Sequence, residues 1–198
     1  MRILREFASR TQLPVKINEV ASAIIAAGFV RRIAFHKFDT PAEEGIGMLI
    51  LREDLTAYVS DELRAEVAYC GNWPPFLQRL VCAKELLHTC DVDGALAQTK
   101  EQVSVLIQEI CIPAQALAEL RKMKKLTPQG ASDHGGWLLA LAVLVPRDAL
   151  KILKDLYDAD KLRDEEIAET AEIPVEYVPL IMSDIWSELL NALCPIDA

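Results

Sequence analysis

Apolar residues first recur at helical spacing just after Pro14, where Val15, Ile17, Val20, Ala21, Ile24 and Ile25 share one side of a segment that stops near Gly28. That period predicts an amphipathic helix closed by a glycine C-cap. Four brief runs rich in Ile, Val, Phe and Tyr follow, at 32–38, 47–52, 56–60 and 65–70, separated by Pro41, Gly45, Asp54 and Asp61-Glu62. Runs of this length between turn formers predict strands of a small, largely antiparallel sheet. From Pro74 onward the pattern is helical, with breaks at Asp91 to Gly94, Pro113, Thr127 to Gly136, Pro146 and Pro174. The stretch Pro128 to Gly136 reads as a loop, free to move. Ile112-Pro113 to Leu117 and Val145-Pro146 to Leu150 share a short phrase and read as helix entries with proline in the first turn; six residues do not make a repeat. The expected fold class is therefore α+β: an N-terminal helix, a small sheet and a helical C-terminal half.

Placing Pro74 to Thr89 on a helical wheel at about 100° per residue puts Phe76, Leu77, Leu80, Val81, Ala83 and Leu87 on one continuous arc. Lys84 and His88, four apart and so stacked, fall inside that arc. Burying a bare ammonium costs several kcal/mol unless a partner compensates it. Lys84 is thus expected either to snorkel out or to meet a carboxylate or carbonyl, with Glu85 the nearest candidate. A satisfied core histidine beside a snorkelling lysine is the reading that spacing alone favours.

Bulk properties narrow the picture further. At 198 residues the chain suits one domain. The longest apolar run, Trp137 to Val145, is about half the ~20 residues of a membrane span, and Met1 to Glu6 lacks the apolar stretch of a signal peptide, so a soluble, cytoplasmic protein is expected. The net charge of −9 is concentrated from Asp158 to Ala198, where eleven acids face only Lys161 and Arg163. Such an acidic helical part repels phosphates, which argues against direct nucleic-acid binding. Five cysteines (Cys70, Cys82, Cys90, Cys111 and Cys194) without close pairing suggest reduced, mostly buried thiols. On the wheel Cys82 lies about 160° from Lys84, away from any shared site. Trp73, Trp137 and Trp186 read as core or interface anchors.

Arg79-Leu80-Val81-Cys82-Ala83-Lys84-Glu85-Leu86-Leu87-His88 resembles the active-site helix of the ImmA/IrrE zinc metallopeptidases. In that motif two histidines at i and i+4 reach one metal, and the glutamate after the first takes a proton from the metal-bound water. Glu85 and His88 match; Lys84 stands where the first histidine belongs. Downstream, Leu141 to Leu150 resembles the end of a family phrase that closes on proline, and Asp164 to Glu169 with Ile173 to Val178 resembles the pair of helices after it. The resemblance spans roughly residues 15 to 180 and implies a zincin-like minimal metallopeptidase fold. The family's third zinc ligand, a glutamate, would fall at Gly135 if Pro146 is the landmark and at Gln102 if Pro113 is. Neither supplies an anionic ligand. Lysine, protonated at neutral pH, binds zinc poorly, so the resemblance implies the fold without the metal.

Three functional readings follow. The first is a catalytically inactive metallopeptidase-like protein that binds another protein or a peptide, plausible as a regulator because active relatives cleave transcriptional regulators, with Lys84, Glu85 and His88 as a vestigial pocket and no cofactor. The second is a zinc-dependent endopeptidase with a rearranged site of His88, Glu85, His134 and Asp91 or Asp133. The third, a DNA-binding regulator, rests on Glu166 to Val178 as half of a helix-turn-helix; the second helix, read as 175–187, carries Glu176 and Asp184 and no cation, which argues against it.

Overall fold

A computed structural model describes residues 2–39, 47–53, 63–90 and 128–193; the side chains of residues 128–134 and 192–193 are not described. The described residues form an α+β fold. Helices α1 (Arg2–Ala8) and α2 (Ile17–Ala26) lead into strands β1 (Arg32–Phe38), β2 (Gly47–Glu53) and β3 (Leu63–Cys70). Then come α3 (Pro75–His88), α4 (Pro128–Leu144), α5 (Arg147–Tyr157), α6 (Asp164–Ala171), a 3₁₀ turn (Val175–Tyr177), α7 (Val178–Ile181) and α8 (Asp184–Leu193).

Several boundaries follow the local chemistry directly. α2 ends two residues before Gly28, whose φ of 80° is the left-handed conformation that glycine adopts without penalty. Its first turn is fastened by the Glu19 carboxylate, which accepts the Lys16 N–H at 2.9 Å. α1 was not anticipated, although Ile3, Leu4 and Phe7 at helical spacing are its buried face.

The sheet departs from the largely antiparallel arrangement expected. Its order is β1-β3-β2, with β3 antiparallel to β2 and parallel to β1. β3 inserts between two strands that are neighbours in sequence, so the hairpin between β1 and β2 that chain order suggests does not form. The expected strand at 56–60 and the breaks at Asp91 to Gly94 and Pro113 lie outside the described residues.

The second correction concerns 128–136, expected as a loop and found as the first half of α4. Helix propensity is a weak prior that packing overrides: a helical glycine costs about 1 kcal/mol relative to alanine, and Pro128 sits at the first helical position, where its missing N–H is harmless. The end of the helix, Ala140 to Leu144, and Val145 just after it are buried on every side and form the centre of the core with Ile24, Leu80, Leu86 and Val67. The apolar run Trp137 to Val145 thus lies along the last part of α4 and just past its end, packed in or against the core, and among the described residues no helix is long and apolar enough to cross a membrane. Past Pro146, Leu150, Leu153, Ile167, Ile173, Ile181 and the fully buried Trp186 pack the C-terminal helices onto that core. The expected second helix at 175–187 is instead the 3₁₀ turn, α7 and the start of α8.

α3 is placed by this architecture. It packs on β2 and β3, with α2 and α4 alongside. Arg79 anchors its first half. Side-chain exposure of Arg79 is 10%, and its guanidinium donates to Ala171 O at 3.0 Å, to Glu172 O at 2.9 Å and to Val15 O, with the Glu172 carboxylate 3.3 Å away. The carbonyls at the end of α6, where Glu172 turns left-handed at φ 53°, are thereby satisfied across the core. Burial holds the Arg79 guanidinium below its ordinary pKa, and Glu172 opposes that shift.

Candidate functional site

The helix that carries the metallopeptidase-like wording begins at a proline pair, with Pro75 in its first turn. The Gln78 amide braces the entry by donating to Gly71 O at 3.0 Å and Trp73 O at 2.5 Å. At the other end the Thr89 hydroxyl donates to Leu86 O at 2.6 Å. From Leu80 to Thr89 every residue is buried, so the apolar arc expected from the wheel widens to the full circumference. Cys82, expected opposite Lys84, is buried on that far side; burial first, and the nearby Glu85 charge second, push its thiol up to about 12. A thiol held protonated in this way is an inert filler, not a nucleophile or ligand.

Lys84 and His88 are 3% and 7% exposed, inside the core as the wheel indicates, and Glu85 is 4% exposed. The Lys84 ammonium does not snorkel. Its Nζ lies 3.0 Å from Glu85 Oε1 and 5.3 Å from the centre of the Trp137 ring on α4. Successive helical residues point about 100° apart, so this contact requires the long lysine side chain to fold across its neighbour. A carboxylate and an aromatic face are thus among the partners that hold a charge otherwise costly to bury. Trp137 in turn stacks on Tyr177 of the 3₁₀ turn, ring centres 6.5 Å apart at 16°, and burial first, then Glu176, raises the Tyr177 hydroxyl above its ordinary value.

Two glycines let neighbouring backbones close on this cluster. A Cβ at Gly47, the first residue of β2, would collide with the Val81 methyl and lie 3.1 Å from Glu85 Oε1. One at Gly136 on α4 would lie 2.9 Å from His88 Nε2 and 3.0 Å from Lys84 Cγ. Gly135 behaves differently: a Cβ there meets nothing within 4 Å. The place assigned to the family's third ligand therefore does not abut His88, and the adjacent Gly136 does. Opposite stability effects follow for neighbouring substitutions. Gly135→Ala should raise unfolding free energy by about 0.5–1 kcal/mol through helix propensity. Gly136→Ala should lower it by about 1–2 kcal/mol, because overpacking against His88 outweighs the same gain. Urea unfolding of both variants checks the pair, and equal effects at the two positions would refute the close approach.

Lys84, Glu85 and His88 are thus brought together, with Glu85 engaged by an ammonium. Gln102, Asp91 and Pro113 lie outside the described residues, and the side chains of His134 and Asp133 are not described. Among the described residues no three His, Cys, Asp or Glu side chains converge as a metal site. A shallow open groove between α5 and α8, lined in part by Arg147, Lys151 and Leu190, is separate from the cluster. Trp137, read from the sequence as a core or interface anchor, and Tyr177, given no role of its own there, form the wall that the sequence did not reveal; no local spacing joins 84, 137 and 177. In comparisons with known proteins the chain matches no family model, no curated protein and no solved structure.

Proposed function

We propose that this is a catalytically inactive metallopeptidase-like protein of the cytoplasm that acts by binding another protein or a peptide, in a regulatory role, without a metal. The observation that carries the reading is the buried Lys84–Glu85 ion pair. In an HExxH helix the glutamate must face a metal-bound water and accept its proton. Here the equivalent carboxylate faces an ammonium at 3.0 Å, which supplies positive charge without an open coordination position. The Nε2 edge of His88 faces the α4 backbone at Gly136, which further supports a filled site. A protein that retains such a helix without its hydrolytic parts has binding left as its means of action, and the ImmA/IrrE resemblance suggests a regulatory protein or peptide as its partner.

The purified protein, supplied with equimolar zinc and incubated with unfolded protein substrates, is expected to release no peptides above a heat-denatured control. Cleavage that a zinc chelator stops, and that Glu85→Gln abolishes, would establish the rearranged endopeptidase instead.

A further inference from the structure

We draw no further inference here: the strongest candidate, the open groove between α5 and α8, has its cation Lys154 already engaged by Met182 O at 2.8 Å, Asp184 at 3.5 Å and Asp158 at 3.7 Å, and nothing in the structure shows what would occupy it.

Discussion

Replacing Lys84 with methionine is expected to cost the fold about 3–5 kcal/mol, because it leaves the Glu85 carboxylate buried without its cation. The effect is large against the ~5–15 kcal/mol that holds a typical domain together. Methionine matches the lysine stem in volume, so lost packing contributes little and the loss reports the broken pair. Removing the second charge as well, in Lys84→Met with Glu85→Leu, should recover most of the loss, since a buried ion pair replaced by apolar groups of similar size is often neutral. Urea unfolding of the three proteins at pH 7 measures both steps. A single variant within about 1 kcal/mol of the parent, or a double variant worse than the single, would mean that Glu85 is held by something other than Lys84.

The second large effect belongs to Arg79. Arg79→Ala should destabilise by about 3 kcal/mol or more, because three partly buried carbonyls and the Glu172 carboxylate lose a charged donor at once. Arg79→Lys keeps the charge and loses the planar fork, so it should recover only part of that stability. Amide hydrogen exchange locates the damage: it should accelerate at the end of α6 and at the start of α2, the two places the guanidinium ties to α3. Uniform acceleration, or none at α6, would count against this role.

Legibility in the sequence followed the range of the forces involved. The limits of β1, the start of α3 and the glycine stop after α2 depend on neighbours a few residues away, and alternation, proline and Gly28 announce them. The inward phase of Lys84 and His88 was legible for the same reason, since four-residue stacking is a local property of any helix. What failed was decided at a distance. The parallel pairing of β1 with β3 depends on which strand inserts between the others, and nothing within Arg32 to Phe38 encodes it. The stretch 128–136 has the composition of a loop, and only contact with α3 explains the value of a side-chain-free Gly136 there. α1 had a usable signal in Ile3, Leu4 and Phe7 that seven residues make easy to overlook. In the site itself the Lys84–Glu85 contact was open to sequence reasoning as one option, whereas the Trp137 and Tyr177 wall required three segments brought together in space.

The central claim, a metallopeptidase-like helix whose metal position is taken by a lysine, is tested most directly by the metal content of the protein. Elemental analysis of the full chain, purified without chelators and dialysed against buffer with trace zinc, is expected to find far less than one zinc per chain. Lys84→Met should leave that figure unchanged, since one histidine does not hold the ion. Close to one zinc per chain, lost together with His88→Ala, would contradict the account and return the protein to the enzymes.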